Sequence, residues 1–235
     1  MKKFTSKLVA SAMTATMAMS MIGGFGASAV ECEEHNNVGS FLISDSIANM
    51  ANAYNPNLSS HYFAWYPTEK QPSNSSTCWA YSIRSICRYR ECDEDGNSAV
   101  TIETLKAEAL LYDEDGNIDK GIKIDTAEKI LNSHFPSSDG YNVHQVSELT
   151  YTNMENSIRK ACPVYLNGVC TTDNKVGHAC VAIGYKYDSQ TKELLGLHYY
   201  NPATGQLEEC DIRNGGFYFK SGSREFKVNK SIMLI

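Results

Sequence analysis

Residues 177–202 read GHACVAIGYKYDSQTKELLGLHYYNP, and this stretch decides the fold. Residues 178–187 and 194–200 are rich in β-branched and aromatic side chains, which suit a pleated, buried strand. Between them Asp188-Ser189-Gln190-Thr191 signals a turn, because short polar side chains bond their own backbone. Pro202 closes the second run, since proline has no N–H to give to a ladder. A hairpin that pairs His178 with Asn201 is centred between Ser189 and Gln190, inside that turn. The expectation is an antiparallel hairpin whose open end sets an imidazole beside a carboxamide.

Outward from the hairpin the period changes. Residues 164–169 and 216–220 also read as strands, whereas the first half of the chain is helical in pattern. From 78 to 90, Trp79, Ile83, Ile86 and Cys87 fall on one stripe, with Ser75, Ser76 and Thr77 available as N-caps. Residues 101–111, 125–131 and 153–160 read as shorter helices, the first two opened by a Thr or Asp cap. Helices first and strands second predict an α+β protein, not a doubly wound sheet.

Composition narrows the class. The 235 residues are 42% apolar and 20% charged, an ordinary globular balance. Formal charge is −6, and the first 29 residues hold three of the 21 basic residues and no acid, so the remainder carries 18 against 27, or −9. Nucleic acid and anionic membrane surfaces repel a body so acidic and are excluded as partners. Lys2, Lys3 and Lys7, the apolar run 8–25 and the small residues Ala27-Ser28-Ala29 predict a secretory signal over 1–29. Gly23, Gly24 and Gly26 interrupt that run, and no basic stop follows, so an anchor is not expected. The chain is therefore expected outside the cell, with no membrane partner once the signal is removed.

Eight cysteines (Cys32, Cys78, Cys87, Cys92, Cys162, Cys170, Cys180 and Cys210) predict disulfides in an exported chain. A zinc site from Cys162, Cys170, His178 and Cys180 is the rival use, but it lacks tight CxxC pairs. The pentapeptide DEDGN occurs at 93–97 and 113–117. Both copies have isoleucine (Ile102, Ile122) where a calcium loop needs its glutamate, and the second has Leu111 at the first ligand position, so both read as Asp-Gly turns between helices. No metal or cofactor is expected.

One cysteine stands apart. Cys78 opens the long helix after a polar loop, where the helix dipole favours a thiolate. A base is needed, and His178 supplies it from an otherwise apolar strand. Asn201 can accept from one ring nitrogen and leave the other facing the sulfur. A tetrahedral intermediate also needs a donor for its oxyanion. Gln71 can aim its amide there beside the backbone N–H of Cys78, with Asn74 a nearer substitute.

Gln71…Cys78-Trp79-Ala80, Gly177-His178-Ala179 and Tyr200-Asn201-Pro202 resemble the papain-like cysteine peptidases, nearest their bacterial staphopain branch. The likeness covers about residues 70–235. It implies a helical lobe bearing Cys78, an antiparallel β-barrel-like lobe bearing His178 and Asn201, and a cleft between them for an extended peptide. By motif, Cys78 is the nucleophile, His178 the general base and acid, Asn201 the orienter and Gln71 the oxyanion donor. Residues 66–235 then form the peptidase domain, and 30–65 an N-terminal extension, a short prosegment or part of the fold. The Gln71–Cys78 interval is one residue longer than the commonest papain spacing, Pro72 follows Gln71, and Ala203 stands where a tryptophan commonly shields the pair.

The expected protein is a secreted, monomeric cysteine endopeptidase that acts on proteins or peptides through a thioester. Alternatives are a C39-like thiol peptidase, an acyl or amide transferase, and a non-catalytic binding module with Cys78 locked in a disulfide.

Overall fold

A computed structural model describes residues 57–93, 98–113, 118 and 121–235. The expected signal segment, Cys32 and the cores of both DEDGN repeats lie outside these residues. Among these residues four α-helices are followed by an antiparallel β-barrel: α1 is Cys78–Arg90, α2 Ile102–Tyr112, α3 Ile124–His134 and α4 Tyr151–Arg159. The strands are β1 Leu58–Tyr62, β2 Val143–Val146, β3 Val164–Cys170, β4 Gly177–Asp188, β5 Leu194–Asn201, β6 Gln206–Arg213, β7 Gly216–Ser221 and β8 Arg224–Leu234. The α+β class is as the sequence predicts. The first DEDGN repeat falls between α1 and α2, the second between α2 and α3.

The helix ends follow local chemistry. Thr101 and Thr104 cap α2 reciprocally, each hydroxyl accepting the other's N–H at 3.1 and 2.9 Å. Thr150 and Asn153 do the same for α4. The Asp cap expected for α3 is not there: Lys123 holds the N-cap position, and Asp125 sits in the first turn, accepting from Gln145 Nε2 at 2.7 Å. Thr77 takes the N-cap position of α1 and its carbonyl accepts from Ala80 and Tyr81 N–H at 2.9 and 3.1 Å, but its hydroxyl makes no cap bond and pairs with Ser75 Oγ at 2.8 Å instead. The first amides of α1 are thus left for whatever lies beyond them.

The barrel runs β4-β3-β8-β7-β6-β5 and closes by β5 pairing back on β4. Closure removes the exposed edges that an open sheet would present. β1 continues the line of β3 along β4, from Leu58↔Asp188 to Tyr62↔Gly184. Residues 58–62 therefore lie in the sheet, largely exposed, and Phe63 after them is buried in the core. Ser60 Oγ meets His198 Nε2 at 2.5 Å and the Tyr62 ring lies 4.8 Å from the His198 ring, which fasten β1 over β5.

β4 is buried on both faces, and that organises the core. Ala179, Val181 and Ile183 join the cluster of α1, built on Trp79, Ala80, Ile83 and Ile86. Cys180 and Ala182 join the cluster of Leu166, Tyr199, Phe219 and Phe226 inside the barrel. The strand alternation sends successive side chains to the two clusters. A register shift between Ala182 and Gly184 then turns Tyr185 and Tyr187 to the second cluster. Among the described residues the disulfide framework expected from the cysteine count is not seen: Cys78, Cys87, Cys162, Cys170, Cys180 and Cys210 carry free thiols. Most of them act as small apolar fillers of these clusters.

Gly184 is where β1 comes closest. A Cβ there would lie 2.3 Å from Tyr62 Cβ and 2.5 Å from the His61 carbonyl oxygen, so even one methyl forces backbone apart. Gly184→Ala is expected to lower stability by about 1–3 kcal/mol in urea denaturation. Gly177→Ala, whose nearest neighbour is Gly168 O at 3.6 Å, is the control. Equal midpoints for the two variants would contradict this packing.

Candidate active site

The helix that begins at Cys78 packs by its apolar stripe on the odd-numbered face of β4. That packing delivers the sulfur to the backbone of the strand: Ala179 N–H points at Cys78 Sγ from 3.5 Å. Ala179 is the next residue after His178, so the thiol arrives one residue from the imidazole. Cys78 and His178 line the same cleft, about 350 Å³, together with Trp79, Tyr165 and Ala179. Asp113, Lys123 and Lys175 bring charge to its walls.

His178 lies on the other face of β4 and is only 6% exposed. Its Nε2 is 3.0 Å from Asn201 Oδ1. The register that produces this contact differs from the expected one by two residues. Val181 faces Tyr200 and Ala182 faces Tyr199, so Asn201 meets His178 diagonally rather than directly. A slip of one would have put the two side chains on opposite faces, whereas a slip of two keeps them together. The loop tightens around Asp188, whose Oδ1 accepts from Gln190 N and Thr191 N at 2.8 and 2.9 Å.

Asn201 is fully buried, and both ends of its amide are fixed. Nδ2 donates to Lys220 O at 3.0 Å and to both carboxylate oxygens of Glu208 at 3.2 Å. Oδ1 accepts from Ala203 N–H at 3.1 Å. Turning the amide over would aim its NH₂ at an N–H and its oxygen at a carbonyl and a carboxylate. The network therefore assigns Oδ1 to His178, and an oxygen there requires the proton on Nε2. Nδ1 of the neutral ring is left with its lone pair. Phe219 and Phe226 lie 5.8 and 5.4 Å from the His178 ring and supply the aromatic cover that Ala203 does not.

Gln71 reaches this region through its backbone: its N–H donates to Pro202 O at 2.9 Å. Its side chain is engaged within its own turn, Nε2 donating to Ser75 O at 3.3 Å, with Oε1 buried and unpartnered. Glu208, Lys220, Phe219 and Phe226 were missed by sequence reasoning. β6, QLEECDIR, has no apolar alternation to mark it as a strand. The usable signal was the turn residue Gly205, φ +71°, between Asn201 and the acids.

Burial dominates the site's electrostatics. It pushes the Cys78 thiol above its ordinary range, against the pull of the Ala179, Trp79 and Cys78 N–H groups. The helix terminus pulls toward the thiolate, and desolvation opposes that pull more strongly. Burial likewise pushes His178 below its ordinary value, partly offset by the Asn201 bond and the Glu208 charge. Both shifts favour the uncharged forms, thiol and neutral imidazole.

This gives a stability prediction with a definite sign. A depressed folded-state value means that the unfolded chain binds the proton first as pH falls, so the contribution of His178 is present above about pH 6.5 and lost below it. The urea midpoint of the wild type should fall between about pH 7 and 5, and that of His178→Gln should fall less. Identical pH dependence in the two proteins would contradict a buried, neutral His178.

Residues 62–214 match the family described as papain-like cysteine protease AvrRpt2, Peptidase C70. No curated protein matches the chain. Among solved structures, a crystal structure from Bacillus anthracis assigned to the C39-like peptidases aligns with a TM-score of 0.48 at 13% identity, covering 75% of this chain and 98% of that one. The family match takes in Cys78, His178 and Asn201 and spans well over half of the sequence. The chain belongs to the papain-like cysteine protease family of AvrRpt2.

Proposed function

We propose that the protein is an exported cysteine endopeptidase in which Cys78, His178 and Asn201 act as nucleophile, base and orienter. The observation that carries the reading is the His178 Nε2–Asn201 Oδ1 bond of 3.0 Å, in a cleft that Cys78 also lines. It leaves Nδ1 as the ring atom able to take a proton. As Cys78 Sγ attacks a substrate carbonyl, Nδ1 accepts the thiol proton and the sulfur–carbon bond forms. The tetrahedral oxyanion is met by the backbone N–H of Cys78. Gln71 joins as second donor once its Nε2 releases Ser75 O, a swing that Pro72 on the adjacent turn constrains.

Collapse of the intermediate breaks the carbon–nitrogen bond, and His178 gives its proton to the departing amine. Water then attacks the thioester, Nδ1 takes a proton from it, and Cys78 leaves as the thiol on return of that proton. Because burial favours the uncharged forms of both partners, the proton transfer accompanies the attack rather than preceding it. The helices bearing Cys78 and the barrel bearing His178 form two lobes in this reading, with an extended peptide lying between them. The proposed staphopain affinity rests on the order Gln71, Cys78, His178, Asn201 and on Asn201-Pro202 after the final strand.

Export is proposed from Lys2, Lys3, Lys7, the apolar run and Ala27-Ser28-Ala29, with the mature protein a monomer and the stretch 30–65 ending in β1 and Phe63, which belong to the fold. No cofactor enters any step.

Cys78→Ala is expected to lower cleavage of casein or a fluorogenic peptide by about 10³-fold or more, and Asn201→Ala by about tenfold with KM little changed. Undiminished cleavage by Cys78→Ala would remove the mechanism. Cross-linked in place of hydrolysed products would assign amide transfer instead.

A further inference from the structure

A carboxylate stands behind the His178–Asn201 pair, and the thiol mechanism leaves it unused. Glu208 receives Asn201 Nδ2 on both oxygens at 3.2 Å, the Tyr199 hydroxyl on Oε2 at 2.7 Å and Thr204 Oγ1 on Oε1 at 2.6 Å. The pairing of β5 with β6 explains this convergence. Tyr199 faces Glu208 and Asn201 faces Gln206, so Glu208 and Asn201 are diagonal neighbours on one face.

The proton count shows what Glu208 adds. An amide NH₂ has two protons. Lys220 O takes one at 3.0 Å, and the other is shared between the two oxygens of Glu208. Without the carboxylate, two backbone groups, Lys220 O and Ala203 N–H, would be left to hold an amide whose rotation sets the tautomer of His178, and one of its two protons would lose its acceptor. A charged acceptor also makes the stronger bond.

We infer that Glu208 is a positioning residue of the active site, clamping the Asn201 amide so that its oxygen stays on His178 Nε2–H, and steadying by its charge the imidazolium formed when Cys78 loses its proton. The purpose rests on the peptidase reading; the clamp itself rests on the contacts above. The negative charge also acts in the direction that favours a protonated His178. The groups facing the ring are Asn201 from β5, Phe219 from β7 and Phe226 from β8, with Glu208 behind Asn201. Cys78, Asp113, Lys123 and Lys175 line the cleft it shares. Glu209, the next residue, points to the opposite face, where it meets Lys186 and His198.

The test follows the ring nitrogens of His178 by NMR across a pH titration of the full chain, which requires no catalytic activity. Wild type, Glu208→Gln, Glu208→Asp and Glu209→Gln are compared, with circular dichroism checking that each is folded. Neutral His178 should carry its proton on Nε2 in the wild type. In Glu208→Gln its pKa should fall by about half a pH unit or more, and Glu208→Asp, which keeps the charge, should recover most of the loss. Glu209→Gln should leave it in place. Glu208→Ala removes the same charge and is expected to repeat the result should the glutamine variant not fold. In turnover, Glu208→Gln should lower kcat about tenfold with KM within about twofold. An unchanged His178 pKa in a folded Glu208→Gln protein, or an equal fall in Glu209→Gln, would overturn the inference. Hydrolysis independent of Cys78 would overturn the peptidase reading and leave the NMR result standing.

Discussion

One buried amide sets the geometry of the site. Asn201 is removed from water, and both ends of its side-chain amide are engaged by β4, the turn that follows β5, β6 and β7. A buried amide left without partners costs about 1–3 kcal/mol for each unsatisfied group, so the barrel is under pressure to close in the one arrangement that satisfies it. That arrangement fixes which ring nitrogen of His178 carries the proton. The chemistry of the cleft is therefore written into a core hydrogen-bond network and not into a flexible loop.

The sulfur has to be brought to that ring from a distant part of the chain, and residues 63–71 do so. Phe63 N–H donates to Ile183 O at 3.0 Å, and Tyr66 OH pairs with Ser85 Oγ of α1 at 2.9 Å. Glu69 pairs with Arg84 of α1, while its backbone carbonyl accepts from the Tyr200 hydroxyl of β5. Gln71 N–H closes the chain on Pro202 O at 2.9 Å. A single segment thus bolts the helix that begins at Cys78 to the strand that ends at Asn201. Position is what this scaffold supplies. Burial pushes both partners toward their neutral forms, so the proton is shared by proximity and not by a ready-made ion pair.

Much of this was legible in the sequence where one physical signal dominated. The apolar stripe of 78–90 gave α1 with its observed ends, because nothing competes with a strong 3.6-residue period. The strands 178–187 and 194–200 were legible from their composition, and the turn between them from Asp188. The pairing register was not, since the loop already sets Tyr187 against Leu194, centred one residue later than the Asp188–Thr191 signal suggests, and the two shifts farther along β4 cancel. β6 and β8 were missed for a related reason. Their outward residues are charged, as in QLEECDIR and REFKVNKSIML, and their strand character comes from neighbours on both sides. Since β6 carries Glu208, the support behind Asn201 was invisible until the barrel was closed. The cysteine count misled in the opposite sense, because thiols such as Cys87 and Cys180 are filling space.

The central claim is that Cys78 and His178 share a proton across one cleft. Its most direct test is mapping by mass spectrometry after stoichiometric treatment with a peptidyl epoxide. The account predicts modification at Cys78, fast in the wild type and about 10²-fold or more slower in His178→Ala. Modification spread over other cysteines, or a rate at Cys78 indifferent to the loss of His178, would contradict it.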